Sequence, residues 1–292
     1  MYDCVIIGIG CAGMSAAIYA QNAGLKTLIL EESAPGGLLN KVKTVNNYLG
    51  FKNINGSDLA FNMFEHVRSL NIEYKITKVL DIKNFDDYKL ITTTKGEYKT
   101  KGIIIACGRK IKRSGISNDE KYINRGISYC AMCDGALYKN KDVVVLGSNE
   151  SAIEEAKYLS NIVRSVTLIS NKDISFEIEN INFINNKKVK EFVGDENISG
   201  LVLDDDSVVK CDGVFIYYGY CSDVAFINSL NITDTKGYII VDENMRSNIN
   251  CIYACGDIIK KDVYQLSTAV GEATIAAVNI KKDIINENKK NA

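Results

Sequence analysis

The amino-terminal region contains the pattern that most restricts the fold: an apolar run, a glycine-rich turn and a helix-like run in close succession. Cys4–Ile7 leads into the turn Gly8-Ile9-Gly10-Cys11-Ala12-Gly13, and residues 14–22 follow with helical composition. The apolar run Thr27–Leu30 then ends at Glu31, at the distance where an acid meets a ribose hydroxyl. Glycines let the backbone approach a pyrophosphate, and the helix amino terminus supplies free N–H groups to bind it. The region therefore predicts a βαβ unit that binds a dinucleotide.

The same pattern recurs in the second half of the chain. Asp142–Gly147 repeats the strand and turn of Asp3–Gly8, a helix-like run follows, and Val166–Ile169 is the next predicted strand. The repeat is imperfect, because the Cβ of Asn149 would crowd the approach of a pyrophosphate. Residues 170–173 offer one cation and no arginine fork for a 2′-phosphate. We therefore predict an α/β chain with two Rossmann-like folds of the three-layer ββα type, the second one degenerate.

Composition and charge exclude several classes of function. The chain has 292 residues, enough for one large or two medium domains, and its formal net charge of -1 does not favour nucleic acid or an anionic membrane as partner. There is no apolar run of about 18 residues, as a membrane span needs. The amino terminus also lacks the basic region and cleavage site of a signal peptide. We expect a cytoplasmic protein that binds neither nucleic acid nor membrane.

The cysteines supply the candidate chemistry. Nine cysteines without a predicted export signal indicate a reducing compartment, and Cys130 and Cys133 form a CxxC pair that could be a redox dithiol. The spacing alone also fits half of a zinc site or two buried thiols. We expect no metal, because a zinc site needs a second pair of ligands and His66, the only histidine, is interpreted as a surface residue. Cys221 and Cys251 stay undecided, whereas five cysteines within apolar runs are predicted core residues: Cys4, Cys11, Cys107, Cys211 and Cys255.

Taken in order, these motifs resemble the low-molecular-weight thioredoxin reductase family along nearly the whole chain. The matching segments are Gly8–Gly13 for the FAD fingerprint, Gly36-Gly37-Leu38-Leu39 for the GGQL loop, Asn47-Tyr48-Leu49-Gly50 for the NWPG-like loop, Cys130-Ala131-Met132-Cys133-Asp134-Gly135 for the CATCDG active site, and residues 237–257 and 265–277 for the last FAD-binding segments.

The resemblance implies the domain organisation and the roles of individual residues. It implies a discontinuous FAD domain, residues 1–112 and 246–292, with the CxxC domain inserted between them, and a homodimer. It implies that Cys130 attacks the partner's disulfide, that Cys133 exchanges electrons with the flavin, and that Asp134 donates a proton. The FAD-binding positions that it implies are Gly8, Gly10, Ala12, Gly13, Glu31, Gly36, Gly37, Leu38, Asn47, Val79, Gly256, Asp257, Gln265 and Leu266.

Departures from the family pattern concern the electron donor. Ordinary members bind NADPH through a GxGxxA turn and an HRRxxxR segment, but here Asn149 replaces a glycine, Ser170-Asn171-Lys172 replaces HRR, and Phe176 replaces the last arginine. Losing three arginines removes charge-assisted hydrogen bonds worth about 1.5–3 kcal/mol each. We therefore expect FAD but not NADPH, and the pattern is similar to ferredoxin-dependent flavin thioredoxin reductases.

The main hypothesis from the sequence is a disulfide reductase that passes electrons from ferredoxin through FAD and the Cys130/Cys133 pair to thioredoxin. Three alternatives stay open: a dithiol oxidase that uses oxygen, an NAD(P)H-dependent thioredoxin reductase, and a flavin redox sensor that is not an enzyme. Ferredoxins are usually acidic, so basic residues are candidate docking groups: Lys41, Lys43, Lys110, Lys112 and Arg113.

Overall fold

The chain forms two compact units in the computed structural model, which describes residues 1–42, 44–111, 114–116, 118–174, 178, 180–221 and 224–290. The first unit consists of residues 1–110 and 221–292, and the second consists of residues 111–220. Among the described residues, no helix is long and apolar enough to cross a membrane.

Both units contain strands and helices. The strands are β1 (Tyr2–Ile7), β2 (Thr27–Glu31), β3 (Glu73–Ile76), β4 (Val79–Asn84), β5 (Lys89–Thr93), β6 (Gly96–Ile105), β7 (Lys110–Ile111), β8 (Ile127–Ser128), β9 (Asp142–Leu146), β10 (Ser165–Ile169), β11 (Ile181–Ile184), β12 (Val189–Gly194), β13 (Ile198–Leu203), β14 (Val208–Lys210), β15 (Gly213–Ile216), β16 (Tyr220–Cys221) and β17 (Ile252–Ala254). The helices are α1 (Cys11–Asn22), α2 (Gly56–Ser69), α3 (Asp119–Tyr122), α4 (Ala131–Asp134), α5 (Glu150–Ser160) and α6 (Leu266–Lys290), with 3₁₀ turns at Gly37–Lys41, Gly135–Tyr138, Ala225–Leu230 and Gly256–Ile258.

A seven-stranded sheet forms the centre of the first unit, in the order β3-β2-β1-β6-β5-β4, with β17 also paired to β6. Strands β3, β2, β1, β6 and β17 run parallel, whereas β4, β5 and β6 pair antiparallel. One edge of strand β6 takes part in both antiparallel and parallel pairing, because β5 pairs with residues 96–100 and β17 with residues 103–105. Strands β4, β5 and β6 thus form an antiparallel part of the same sheet, and β3 joins the parallel part.

Two apolar layers cover the faces of this sheet. Within β1, Cys4 and Ile6 face the layer that contains α1 and α6, whereas Val5 and Ile7 face the opposite layer. This alternation is the period of two that a strand imposes on its side chains. The apolar run at the amino terminus is therefore a strand buried on both faces, as predicted.

Helix α6 continues to Lys290 through a polar, lysine-rich segment that follows Ile280. The extension is stabilised by packing, because Ile284 is buried one turn after Ile280. It is also stabilised by a forked ion pair, in which Arg246 Nε and Nη2 donate to Asp283 at 3.0 and 2.9 Å. Both contacts are tertiary, and the polar composition of the segment does not reveal them.

The second unit contains a five-stranded parallel sheet in the order β11-β10-β9-β15-β8 and a separate antiparallel sheet of β12, β13 and β14. Helix α5 connects β9 to β10, which completes the second βαβ unit. The prediction of an α/β chain with two Rossmann-like folds is therefore confirmed.

The chain returns to the first unit earlier than the predicted boundary at residue 246. Phe226 and Ile227 already pack in the apolar layer of the first sheet. Farther along, Ile239 N donates to Ile258 O at 2.9 Å. Residues 237–242 form only isolated bridges, so their apolar side chains contribute to the core without extending the sheet.

Candidate functional site

The first glycine turn is shaped by close backbone contacts. Gly8 has φ +104°, and a Cβ on it would lie 2.5 Å from Ala106 O. A Cβ on Gly13 would lie 1.9 Å from Gly8 O. At Gly10 the situation is opposite, because a Cβ there would meet no atom of the described residues within 4 Å, and no side chain of those residues caps α1. The amino terminus of α1 is therefore open to a ligand.

Most of the predicted dinucleotide-binding positions converge on this turn. Gly36 N donates to Ile9 O at 2.9 Å, and a Cβ on Gly37 would lie 3.7 Å from Gly10 Cα. A Cβ on Gly256 would lie 2.9 Å from the Cβ of Ala12. The structure thus brings together three segments that are distant in sequence.

Glu31 ends β2 beside the turn. Its Oε2 accepts a hydrogen bond from Ile9 N at 2.7 Å, and its Oε1 accepts one from Ser33 N at 2.9 Å. Thr77 N donates to Glu31 O at 2.7 Å, which places the segment before Val79 next to the end of β2. Val79 itself is buried at the start of β4.

The polar residues near the start of α6 form a second part of the candidate site. Asn47 Nδ2 donates to Gln265 Oε1 at 3.2 Å. Asp257 Oδ1 is buried, and no hydrogen bond within the described part of the chain reaches it, although Lys261 Nζ lies 3.4 Å away. An unsatisfied buried carboxylate oxygen is rare, so it points to a missing hydrogen-bond donor such as a ligand hydroxyl.

Sequence patterns did not reveal the residues that hold Gly256 and Asp257 in place. Glu272 Oε2 accepts hydrogen bonds from Gly256 N and from Lys261 Nζ, both at 2.9 Å. Leu266 begins α6 and packs against a small apolar cluster that includes Leu39. Leu38, the other predicted position, lies partly exposed in the turn Gly37–Lys41.

The second unit carries the cysteine pair. Cys130 and Cys133 form a disulfide with a Cα–Cα distance of 5.3 Å, and both are half-buried. Cys133 N donates to Cys130 Sγ at 3.2 Å. The intervening Met132 is 53% exposed, so the disulfide lies close to the surface of its unit.

Two residues that sequence analysis missed support the disulfide. Ser128 Oγ donates to Asp134 Oδ2 at 2.7 Å and accepts from Cys130 N at 3.1 Å. The Tyr217 hydroxyl accepts from Ala131 N at 2.6 Å. The same hydroxyl is hydrogen-bonded to Glu155, whose pKa is raised by burial in spite of that bond. Ser128 lies two residues before Cys130 and could have been found as a local turn, but Tyr217 is brought near only by the fold.

The second glycine turn is occupied by its own side chain. Asn149 is the N-cap of α5, and its Oδ1 accepts from Ala152 N at 2.9 Å. Its Nδ2 donates to Tyr217 O at 3.0 Å. Asn149 therefore occupies the space that a pyrophosphate would approach, and its side chain caps the helix by accepting from a free N–H group at its start.

The remaining thiols differ in accessibility. Burial raises the pKa of Cys211 and of Cys251 to about 12, and it raises that of Cys11 to about 12 as well. The predicted burial is confirmed for Cys4, Cys211 and Cys255, but Cys107 is exposed and Cys11 is only partly buried. Strand β6 ends at Ile105, and burial continues only to Ala106. Cys107 lies just beyond, at the carboxyl edge of the sheet, and is therefore exposed. The side chain of Cys221 lies outside the described residues.

Among the other predicted positions, Lys41 and His66 are exposed. Lys43, Lys112, Arg113 and Phe176 lie outside the described residues, as does the side chain of Lys110.

Known proteins resemble this chain over almost its entire length. The family described as pyridine nucleotide-disulphide oxidoreductase matches residues 2–273. The thioredoxin reductase of Bacillus subtilis is 37% identical over 96% of this chain and 94% of its own. The structure of thioredoxin reductase from Streptococcus pyogenes has a TM-score of 0.93 at 37% identity, covering 98% of this chain and 99% of that one.

These findings overturn the expected dependence on ferredoxin. A ferredoxin-flavin thioredoxin reductase from Clostridium acetobutylicum also matches, covering 98% of both chains, but with a TM-score of 0.57 and 30% identity. Curated relatives from Bacillus subtilis and Listeria monocytogenes, at 37% and 38% identity, are thioredoxin reductases, and the family takes its name from the pyridine nucleotide. The expectation that NADPH is not used finds no support in them either. The error lay in treating the altered residues of the second turn as the loss of a site.

The family implies a bound flavin, and its members exchange electrons with disulfides. The Cys130–Cys133 disulfide and the open dinucleotide turn are the two features that such chemistry requires. The chain belongs to the pyridine nucleotide-disulphide oxidoreductase family, as a disulfide oxidoreductase related to thioredoxin reductases.

Proposed function

We propose that this protein is a thioredoxin reductase that uses a reduced pyridine nucleotide as electron donor, FAD as cofactor and the Cys130–Cys133 disulfide as the group that reduces thioredoxin. The observation that carries this proposal is the half-buried disulfide in a unit with a nucleotide-type fold. The first unit, with its open turn, is the proposed FAD-binding domain, and the second is the proposed redox domain.

The residues of the first unit fit FAD. The first-turn N–H groups of α1 would bind the pyrophosphate, and Gly10 leaves room for it. Glu31 would accept a hydrogen bond from the adenosine ribose, because a carboxylate that holds Ile9 N has further lone pairs. Asp257 Oδ1 would gain a hydrogen-bond donor in addition to its ion pair with Lys261. The other proposed contacts are the predicted positions that flank these groups: Gly8, Ala12, Gly13, Gly36, Gly37, Leu38, Asn47, Val79, Gly256, Gln265 and Leu266.

FAD held by these residues would supply two-electron transfer between the nicotinamide and the disulfide. Two electrons and two protons convert Cys130–Cys133 into two thiols. Cys130 as a thiolate then attacks a sulfur of the thioredoxin disulfide, and Cys133 attacks the mixed disulfide to release reduced thioredoxin. In the disulfide form, Cys133 N donates to Cys130 Sγ at 3.2 Å, so this N–H lies next to the proposed attacking sulfur.

Asp134 is the proposed proton donor of the redox domain. Its Oδ2 accepts from Ser128 Oγ, and that oxygen also accepts from Cys130 N, so Ser128 connects the carboxyl group to the backbone of the cysteine pair. We assign Ser128 the role of positioning Asp134. A homodimer is proposed from the family resemblance, and a cytoplasmic location fits the six free cysteines among the described residues.

Steady-state turnover of the FAD-loaded protein with a reduced pyridine nucleotide and oxidised thioredoxin tests this function. We expect turnover in the wild type and a loss of at least about a thousandfold in Cys130→Ser and Cys133→Ser, because neither variant can form the disulfide. Cys211→Ser removes a buried thiol of the same unit and should keep most of the activity. Thioredoxin reduction by both variants at the wild-type rate would refute the proposal.

A further inference from the structure

The edge of the second sheet that would receive a pyridine nucleotide carries lysines but no arginine among the described residues. All five strands of this sheet are parallel, and nucleotides bind at the carboxyl ends of such strands. The chain leaves β10 as Ser170-Asn171-Lys172-Asp173, and Lys172 is the only cationic residue from 170 to 180. In dinucleotide folds, the segment after the second strand recognises the 2′ position of the adenosine ribose.

The described arginines of this unit lie at the opposite edge. Arg164 precedes β10, and its Nε donates to Asp142 Oδ1 at 2.8 Å at the start of β9. Arg125 precedes β8, and its carbonyl oxygen accepts from Ile198 N at 2.9 Å. In a parallel sheet, residues that precede strands share the amino-terminal edge. The unit's third arginine, Arg113, lies outside the described residues.

Local contacts organise the segment after β10 around polar and acidic groups. Ser170 is 1% exposed, and its Oγ accepts from Lys172 N at 3.0 Å. Asp173 Oδ1 accepts from Asn185 Nδ2 at 3.1 Å. Lys187 N donates to Ser170 O at 3.0 Å, which places Lys187 and the exposed Lys188 at this edge as well, and Lys187 Nζ is paired with Asp205 Oδ2 at 2.6 Å. A 2′-phosphate here would meet single lysine charges and aspartates but no arginine fork, whereas a ribose hydroxyl could donate to Asp173.

From this arrangement we infer that the pyridine-nucleotide site, whose existence rests on the proposed function, selects NADH over NADPH. NADH gives up a hydride and becomes NAD⁺. The disulfide gains the two electrons together with two protons, one of which comes from solvent. The 2′-phosphate takes no part in this chemistry, so the selection acts on binding and appears in kcat/KM.

Anaerobic turnover of the FAD-loaded protein with thioredoxin and either nucleotide tests the inference. We expect kcat/KM for NADH to exceed that for NADPH by at least about tenfold, the factor that one missing charge-assisted contact produces. An NADPH value equal to or above the NADH value would overturn this inference and leave the proposed function intact. If neither nucleotide supported turnover, the proposed function would fail, and the inference with it.

A charge-adding variant locates the cause of the preference. Asn171 is exposed in the segment after β10, and Asn171→Arg should raise kcat/KM for NADPH by about tenfold with little change for NADH. Asn197→Arg makes the same substitution at an exposed position before β13, outside the parallel sheet, and should leave the ratio unchanged. An unchanged ratio in Asn171→Arg, or an equal shift in Asn197→Arg, would show that this edge does not set the preference and would overturn the inference.

Discussion

The two glycine turns begin alike and differ where their helices start. A Cβ on Gly8 would lie 2.5 Å from Ala106 O, and a Cβ on Gly147 would lie 2.7 Å from Tyr217 O. In both units the first glycine is therefore needed because the backbone after a neighbouring strand passes too close for a side chain. Two residues later the turns diverge, since Gly10 faces open space and Asn149 caps α5.

The same βαβ topology can therefore leave the N–H groups at a helix amino terminus free for a ligand or already bound by a side chain. A ligand phosphate at α1 meets free N–H groups, whereas a ligand at α5 competes with Asn149 Oδ1 for Ala152 N. We therefore expect the first turn to hold its dinucleotide tightly and the second to bind a nucleotide weakly and release it readily. That division suits a resident cofactor and a substrate that must leave.

A change that makes the first turn resemble the second should have the largest effect, a loss of FAD affinity. Gly10→Asn introduces a capping side chain where the backbone has room for it, so the fold should persist. FAD affinity should fall at least about tenfold, because a lost charge-assisted hydrogen bond is worth about 1.5–3 kcal/mol. Flavin retention after dialysis measures this effect. Gly10→Ala adds a Cβ without a capping group and therefore separates the effect of crowding from that of capping. If Gly10→Asn retained as much flavin as the wild type, an uncapped helix terminus would not explain tight binding at the first turn.

The reciprocal change should open the second turn. Asn149→Gly removes the cap and the Cβ, so nucleotide affinity should rise about three- to tenfold, while the loss of stability is only a few tenths of a kcal/mol. The dissociation constant for NADH, followed by flavin or nicotinamide fluorescence, tests this expectation. Asn149→Ala keeps the Cβ and should give a smaller gain. A weaker affinity in Asn149→Gly would mean that the asparagine assists binding.

The smallest expected effect is on stability and concerns the aspartates near the starts of β1 and β9, Asp3 and Asp142. Hydrogen bonds from Arg164 and then from Ser165 lower the pKa of Asp142 to about 2. At the corresponding position, burial alone would raise the pKa of Asp3, but hydrogen bonds from Lys101 and Lys26 N lower it overall. A lowered pKa in the folded state stabilises the protein above the unfolded pKa of about 3.9, and this contribution is lost as pH falls.

Asp142→Asn should therefore lower the free energy of unfolding at pH 7 by less than about 1 kcal/mol, because the Asp142–Arg164 pair is largely exposed. The difference from wild type should shrink as pH falls from 4 to about 2, the pKa of Asp142 in the folded protein. Denaturant unfolding at several pH values measures it. Arg164→Gln should give a similar loss that does not add to that of Asp142→Asn, and a constant difference at all pH values would contradict the assignment.

Local patterns predicted the elements that are determined by neighbouring residues. The apolar run of β1, the glycine turn and the Cys130/Cys133 spacing are all visible in the sequence, and the structure contains a buried strand, a glycine turn and a disulfide at these positions. The supporting contacts were missed because they join distant positions. Tyr217 and Ala131 are 86 residues apart, and only the pairing of β15 within the sheet brings them together.

The electron donor was predicted wrongly for a related reason. Asn149 and residues 170–172 differ from the family pattern, but a substitution alone does not show whether a site is lost or altered. The structure shows an intact βαβ unit around α5, with a polar cap in place of an open turn. The backbone that a nucleotide site needs is therefore present.

We propose that electrons enter this protein from a pyridine nucleotide and leave through the Cys130–Cys133 disulfide. Anaerobic titration of the FAD-loaded protein with NADH, followed by flavin absorbance, tests it most directly. We predict that NADH bleaches the flavin and that oxidised thioredoxin restores the absorbance in the wild type but not in Cys130→Ser. A flavin that stays oxidised in the presence of excess NADH and excess NADPH would contradict the proposal that a pyridine nucleotide is the electron donor.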